Sequence, residues 1–160
     1  MLSIRSGTVN DVPLLNTFLQ EFATYERLST VITEEQLRQD GFGTRPKFRV
    51  LIAEIDGAPA GYALFFDCYS SLQGHGIFLE DLFVRPRFRG KSVGRELLAH
   101  VARITEEANG FGIMLNVLDW NDGAIKFYRR IGATFLDDWK TVCLKQKALH
   151  DLASEVGTEK

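Results

Sequence analysis

The amino-acid sequence predicts an α/β domain with a mixed, mostly antiparallel central sheet that is flanked by helices. Strand-like and helix-like runs follow the order β α α β β β α β α β β along the chain. Asp56-Gly57 lies between two strand-like runs and is a strong signal for an antiparallel hairpin. Residues 77–108 then have the pattern of a strand, a basic loop and a helix. Strands that form a meander and then alternate with helices are typical of a layered α/β domain.

Capping and periodicity signals define the elements before residue 70. Thr8 or Asn10 is a suitable N-cap for a first helix, whose apolar residues repeat at helical spacing. Thr33-Glu34-Glu35-Gln36 is a capping-box pattern that begins a second helix. Runs rich in β-branched and aromatic residues predict the strands. The predicted elements are a strand at 2–5, a helix ending near residue 26, a helix ending at Gly41 or Gly43, and strands at 48–55 and 60–69.

The second half of the chain alternates between strands and helices. Residues 77–84 are β-branched, aromatic and aliphatic apart from two acids, and Pro86 ends this strand. Apolar residues at helical spacing follow from Val93 to Ala108. The remaining predicted elements are a buried strand at 112–118, a turn at 119–123, a helix at about 124–131 and short strands at 134–136 and 141–144.

Length, composition and charge limit the classes of function. A chain of 160 residues predicts one domain, placed here at residues 1–148, with a polar and frayed C-terminal tail at 149–160. The net charge of -2 gives no reason to expect a nucleic-acid partner. No apolar run approaches the roughly 18 residues of a membrane span, so we expect no membrane partner and a cytoplasmic location.

The two cysteines, Cys68 and Cys143, are too few and too far apart for a disulfide framework or a zinc site. Their apolar neighbours predict two buried thiols, and the histidines have no metal-ligand spacing. We therefore expect no metal.

The loop between the strand at 77–84 and the following helix has the composition of an anion site. It runs Arg89-Gly90-Lys91-Ser92-Val93-Gly94-Arg95. Free backbone N–H groups and the helix dipole favour an anion there, and glycine allows close approach. The loop is not a GxxxxGK[ST] motif, since Arg85 replaces the required glycine, and it lacks GxGxxG. It predicts a phosphate-bearing ligand beside a strand with two acids, or otherwise a solvated basic turn.

This loop resembles the pyrophosphate loop of the GCN5-related N-acetyltransferase (GNAT) superfamily, although Ser92 replaces a loop glycine. Other motifs between residue 4 and about residue 145 resemble the spermidine/spermine and thialysine N-acetyltransferase branch. Leu72 stands where that branch usually carries tryptophan. The matching motifs are Tyr25-Glu26, Asp40-Gly41-Phe42-Gly43, Leu79-Glu80-Asp81, Arg89-Gly90, Val117-Leu118-Asp119-Trp120-Asn121 and Phe127-Tyr128 with Gly132-Ala133.

The resemblance implies the GNAT (acyl-CoA N-acyltransferase) fold, acetyl-CoA as co-substrate, and a small primary amine as acceptor. An alkylamine has a pKa near ~10.4 and arrives protonated, so a group must accept its proton. We expect Glu80 in this role and Asp81 as the partner of a second cationic amine. Neighbours in a regular strand point to opposite faces, but a β-bulge, which the resemblance implies, would let both contribute.

Other roles also rest on the resemblance. Tyr128 is expected to protonate the leaving thiolate of coenzyme A, whose thiol pKa is near ~8.5. A backbone N–H of Leu82, Phe83 or Val84 would bind the acetyl oxygen, with the pantetheine arm lying along the strand. Tyr25 and Glu26 would contact the amine, across the interface of a homodimer. The remaining expected cofactor contacts are the loop residues Arg89, Gly90, Lys91, Ser92, Val93, Gly94 and Arg95, together with Asn121, Gly123 and Ala124.

Structural alternatives exist for each of these residues. Glu80 and Asp81 could form a solvated strand end or ion pairs with neighbouring arginines, and Glu26 could be a solvated acid. Tyr128 could be a core aromatic residue, and Asn121 a turn residue. The predicted activity is N-acetylation of a diamine, a polyamine or a thialysine- or lysine-like amino acid, by direct attack in a ternary complex. The alternatives are a protein lysine or N-terminal acetyltransferase and a non-catalytic acyl-CoA-binding module.

Overall fold

The computed structural model describes residues 1–156, which contain five β-strands and five α-helices. The chain separates into two compact units, Met1–Asn116 and Val117–Lys160. No described helix is both long enough and apolar enough to cross a membrane. The elements of the first unit are β1 (Leu2–Ser6), α1 (Val12–Tyr25), α2 (Glu34–Phe42), β2 (Arg49–Ile55), β3 (Ala58–Ser70), β4 (Gly74–Val84), α3 (Val93–Glu107) and β5 (Ile113–Leu115). Their order confirms the predicted order of elements up to β5.

The first unit is built on one mixed sheet with the strand order β1-β2-β3-β4-β5. The first four strands pair antiparallel, and Asp56-Gly57 connects β2 to β3 as the hairpin signal predicts. β5 pairs in parallel with the first half of β4, because the crossover through α3 carries the chain back along β4 before β5 begins. The predicted mixed sheet, antiparallel in its first half, is confirmed.

Each face of the sheet is covered by helices and forms its own apolar cluster. α1 and α2 cover one face, where Leu15, Phe18 and Leu37 pack against Ile52 and Tyr62. The capping box at Thr33 and Gln36 that predicts the start of α2 is present. α3 covers the other face; the buried residues there include Ala63, Phe65, Ile77, Leu79, Val93, Leu97 and Val101.

A β-bulge at Glu80 divides β4 into two segments. Leu64 pairs with Asp81 and Phe65 pairs with Leu79, so Glu80 is the extra residue of β4. Before the bulge, Leu79 packs on the α3 face, whereas Phe83, four residues later, packs on the α1 face. Strict alternation would keep both on one face, and the bulge therefore moves Asp81 to the face that α1 covers. The bulge expected from the resemblance is confirmed.

β5 is shorter than the predicted strand at 112–118. It pairs only Ile113–Leu115 with Ile77–Leu79, and the ladder ends where Glu80 interrupts the register of β4. Beyond Leu79, no strand of residues 1–116 pairs with this edge of β4.

The second unit contains α4 (Asp122–Arg130) and α5 (Gln146–Ser154). The predicted strands at 134–136 and 141–144 are wrong, because neither run has a strand partner and strand propensity alone does not form a strand. The prediction of a frayed tail is also wrong for the residues up to Ser154, because they belong to α5. An ion pair between Lys147 and Asp151 supports this helix. Residues 157–160 of that tail lie outside the described residues.

The expectation of two buried thiols is wrong. Cys68 is half-buried in β3, and Cys143 is exposed because its segment is irregular rather than part of a sheet. Burial raises the pKa of the Cys68 thiol, and the charge of Asp67 adds to this effect.

Candidate active site

Three carboxylates converge on the first unit around the bulge in β4. Glu80 is exposed at the bulge, and Asp81, the next residue, is buried. Glu26 follows the last residue of α1 directly. The Tyr62 hydroxyl of β3 donates a hydrogen bond of 2.9 Å to Asp81 Oδ2. The predicted acidic residues are therefore brought together on the face of the sheet that α1 covers.

The carboxylates of this group act on the pKa values of Asp81 and Glu26. The pKa of Asp81 is raised to about 7, because burial and the charges of Glu80 and Glu26 raise it more than the Tyr62 hydrogen bond lowers it. Burial also raises the pKa of Glu26, and the charge of Glu80 adds to this effect. In the Met1–Asn116 unit, no lysine, arginine or histidine forms an ion pair with any of the three. Glu26, Glu80 and Asp81 thus form an acidic cleft, whose negative charge an incoming cation can neutralise.

Arg85, which directly follows β4, is paired elsewhere, and no arginine of residues 1–116 forms an ion pair with Glu80 or Asp81. The ion-pair alternative for these two acids is therefore wrong. Arg85 donates two hydrogen bonds of 2.8 and 2.7 Å to the Glu21 carboxylate on α1. It also donates to the Pro59 carbonyl oxygen and stacks over Phe18. Arg85 therefore joins the end of β4 to α1 and to the start of β3, and this structural role was missed by sequence analysis.

A cavity of about 490 Å³ lies next to this cleft, between α1 and the end of β4. The Arg89 guanidinium stacks over the Tyr25 ring at 4.5 Å from its centre, and Arg89 Nε donates to the Val84 carbonyl oxygen at 2.9 Å. A predicted cofactor residue and a predicted amine residue are thus in direct contact. The cavity is lined by Thr17, Gln20, Glu21, Thr24, Tyr25, Phe83, Pro86 and Arg89.

The loop before α3 has the backbone geometry of an anion site. Gly90 and Ser92 both adopt positive φ, at 74° and 63°. The Ser92 side chain makes no capping hydrogen bond at the start of α3, so it does not satisfy the N–H groups of the first turn. Together with the lysine and arginines of the loop, these N–H groups fit a phosphate-bearing co-substrate. A Cβ at Gly90 would meet nothing within 4 Å, so the loop is open there.

The unpaired edge of β4 shortly precedes this loop in the sequence. It covers the predicted residues Leu82, Phe83 and Val84, which follow the last residue paired with β5. The Phe83 side chain packs against Phe22 and Tyr62, which leaves its backbone groups at the edge of the strand. Such an edge can bind an extended ligand as an additional strand does.

In the second unit, the predicted residues lie on α4 or at its start. Asn121 is the N-cap, and its side-chain Oδ1 accepts a hydrogen bond of 3.2 Å from the Ala124 N–H. Gly123 lies in the same first turn. Tyr128 is buried, packs edge-to-face with Phe127, and has a pKa that burial raises to about 12. Asn121 thus has a structural role as a cap, and cofactor contacts by these residues remain predictions.

Tyr62 is a site residue that the sequence did not predict. Tyr62 and Asp81 are 19 residues apart in the chain, and the hydrogen bond between them depends on the pairing of β3 with β4 and on the bulge. No local pattern indicates such a pair. In the part of the chain that the structure describes, no group of three or more histidine, cysteine, aspartate or glutamate residues could hold a metal ion.

Comparison with known proteins gives a consistent family assignment. Residues 14–133 match the family model described as the acetyltransferase (GNAT) family. A thialysine N-epsilon-acetyltransferase of Sus scrofa is 35% identical over 165 residues, which cover 95% of this chain and 97% of that protein. Spermidine/spermine N(1)-acetyltransferase-like protein 1 of Homo sapiens is 29% identical over 95% of this chain and 24% of its own length. The integron cassette protein VCH_CASS6 of V. cholerae superimposes with a TM-score of 0.79 at 23% identity, covering 95% of this chain and 97% of that chain.

Proposed function

Since this chain belongs to the acetyltransferase (GNAT) family and is an acetyl-CoA-dependent N-acetyltransferase, we propose that its acceptor is a small primary amine with a second cationic group. The proposal rests on one observation: Glu26, Glu80 and Asp81 are grouped together, and none of them forms an ion pair within residues 1–116. Diamines, polyamines and thialysine- or lysine-like amino acids all carry the required charges. The names of the relatives favour the amino-acid end of this range.

Glu80 accepts the proton of the reacting amine in this proposal, directly or through water. Its position in the bulge exposes it to solvent beside the buried Asp81, so an amine can reach it and the proton can leave. Asp81 and Glu26 then bind the second cationic group and orient the amine. Tyr25, next to Glu26 and under Arg89, contacts the carbon chain of the substrate.

Acetyl-CoA, when bound, supplies the acetyl group as a reactive thioester. The loop from Arg89 to Arg95 holds the pyrophosphate, and the backbone of Leu82–Val84 binds the pantetheine arm and the acetyl oxygen, in line with the free edge of β4. Asn121 binds the pantetheine arm or a nearby carbonyl, and Gly123 and Ala124 make further contacts with the co-substrate. The amine attacks the thioester directly in a ternary complex, without a covalent enzyme intermediate.

Tyr128 donates a proton to the leaving thiolate. Because burial raises the pKa of its phenol to about 12, this side chain stays protonated throughout the neutral range and remains a donor.

The proposal includes a homodimer in the cytoplasm. Large apolar side chains of the second unit are exposed, with Trp139 at 78% and Val142 at 85% of their full accessibility. Exposed apolar surface of this kind is typical of protein interfaces. Light scattering coupled to size-exclusion chromatography tests the dimer by its mass, and a monomer at working concentration would remove this part of the proposal.

The deciding experiment measures thiol release from acetyl-CoA with a panel of amines. The panel contains 1,4-diaminobutane, spermidine, thialysine, lysine, the monoamine n-butylamine and a histone-tail peptide. We expect a higher kcat/KM for at least one small dication than for n-butylamine. Turnover of the peptide alone would favour the protein acetyltransferase alternative and contradict the small-amine proposal.

A further inference from the structure

We propose that Tyr62 is a positioning residue that fixes the Asp81 carboxylate to receive the second ammonium group of the substrate. The Tyr62–Asp81 pair thereby selects dicationic amines over monocationic ones. This inference rests on the proposed function, because it assigns a residue to its substrate selectivity. Tyr62 lies in β3, outside every motif on which the resemblance to the family rests.

The phenol of Tyr62 is held rigidly. The side chain is fully buried, and its ring stacks on Phe18 at 5.4 Å between ring centres, with Phe83 at 6.1 Å. Arg85 lies over the Phe18 ring, and its own charge is paired with Glu21. A ring packed in this way cannot change its rotamer without disrupting the core, so its hydroxyl has one position.

The bulge brings the Asp81 carboxylate to this hydroxyl. In the paired strands, Tyr62 lies opposite Phe83, and Leu64 lies opposite Asp81, so Tyr62 and Asp81 are diagonal neighbours on one face. Without the extra residue at Glu80, Asp81 would lie on the α3 face. The 2.9 Å hydrogen bond occupies Asp81 Oδ2 and fixes the plane of the carboxylate.

The hydrogen bond also stabilises the charged form of Asp81. The titratable groups that act on Asp81 are Glu80, Glu26 and Tyr62; burial and the two carboxylates raise its pKa, whereas the Tyr62 bond lowers it. Tyr62 thus favours the ionised form that an ammonium group can pair with. A dication compensates the buried charge of Asp81 with its second ammonium group, but a monoamine at Glu80 leaves it uncompensated.

The test compares Tyr62→Phe with the matched control Tyr69→Phe, which removes a phenol from an 80% exposed position on the same strand. The substrates are 1,4-diaminobutane and n-butylamine, which have the same carbon chain. We expect Tyr62→Phe to lower kcat/KM for the diamine about tenfold, mainly through KM, because a hydrogen bond to a charged group is lost. The value for n-butylamine should stay within about twofold, and Tyr69→Phe should resemble the wild type.

A second measurement does not depend on turnover. The ¹³C resonance of the Asp81 carboxyl group, followed against pH, reports its titration directly. We expect a midpoint near the pKa of about 7 in the wild type, and 1,4-diaminobutane should lower it more than n-butylamine does. In Tyr62→Phe the midpoint should rise by about one pH unit.

The two measurements separate this inference from the proposed function. Equal losses of kcat/KM with both amines in Tyr62→Phe would overturn the role of Tyr62. An Asp81 titration midpoint that Tyr62→Phe leaves unchanged would overturn it as well. If the wild type acetylates none of the small dications of the panel, the proposed substrate class is contradicted, and the carboxyl titration alone decides whether Tyr62 controls Asp81.

Discussion

The substitution Asp81→Asn should stabilise the fold at alkaline pH while impairing binding of dicationic amines. Asparagine has nearly the same shape, and its carbonyl oxygen can still accept the hydrogen bond from Tyr62. It removes a carboxyl group that is buried near two other carboxylates. Active sites often carry such a cost in stability, because the functional charge is poorly solvated in the folded state.

The magnitude follows from the pKa of Asp81, which rises from 3.8 to about 7 on folding. At pH values between these two pKa values, the Asp81 carboxyl is protonated in the folded state but ionised in the unfolded state. The free energy of unfolding therefore falls as pH rises. The slope from this group is about 1.4 kcal/mol per pH unit, and the loss amounts to about 4 kcal/mol above pH 7. Asp81→Asn removes this loss, so its advantage over the wild type should grow from near zero at about pH 4 to about 4 kcal/mol at about pH 8.

Urea unfolding of both proteins at several pH values between these limits measures the difference in the free energy of unfolding. The values near pH 4 serve as the internal control, because Asp81 is then protonated in the folded wild type. A difference that does not change with pH would refute the reasoning, since it would mean that Asp81 is not held as a neutral acid by burial. The same variant should show a raised KM for 1,4-diaminobutane.

Three further predictions concern the chemistry, the loop and the core. Tyr128→Phe should lower kcat at least ~10-fold with little change in the affinity for acetyl-CoA; unchanged kcat would remove its role as an acid. Ser92→Gly should raise the free energy of unfolding by about 0.5–1 kcal/mol, because Ser92 has a φ of 63°, which glycine adopts without strain. The control Ser92→Ala keeps the strained backbone and should leave the free energy of unfolding unchanged. Arg85→Lys should lower the free energy of unfolding, measured in urea, by about 1–2 kcal/mol, because lysine cannot form both hydrogen bonds to Glu21. An unchanged free energy of unfolding would show that this pair does not join α1 to β4.

The local order of elements could be read from the sequence. The capping box at Thr33 and the Asp56-Gly57 turn each depend on neighbouring residues alone, and the structure confirms both. The same holds for α3, whose buried residues recur every four positions. The motifs of the site, from Glu80-Asp81 to the Arg89–Arg95 loop, were also visible as residue types in order.

Strand pairing could not be read in the same way. The run at 141–144 has strand-like residues but no partner, and it is irregular in the structure. β5 ends at Leu115 because its partner β4 is interrupted at Glu80, which is remote in the chain. A strand is stable only when a second strand satisfies its backbone groups, and that condition is not local.

The sequence by itself therefore determined the family, the order of the elements up to β5 and the acidic and basic residues available for catalysis, because these depend on short-range patterns. Only the tertiary structure decided which face Asp81 occupies, that Tyr62 is its partner, and that Arg85 pairs with Glu21 instead of the acidic cleft. The physical reason is that one extra residue at Glu80 reverses the alternation of β4, and burial on the resulting face sets the charge of the site.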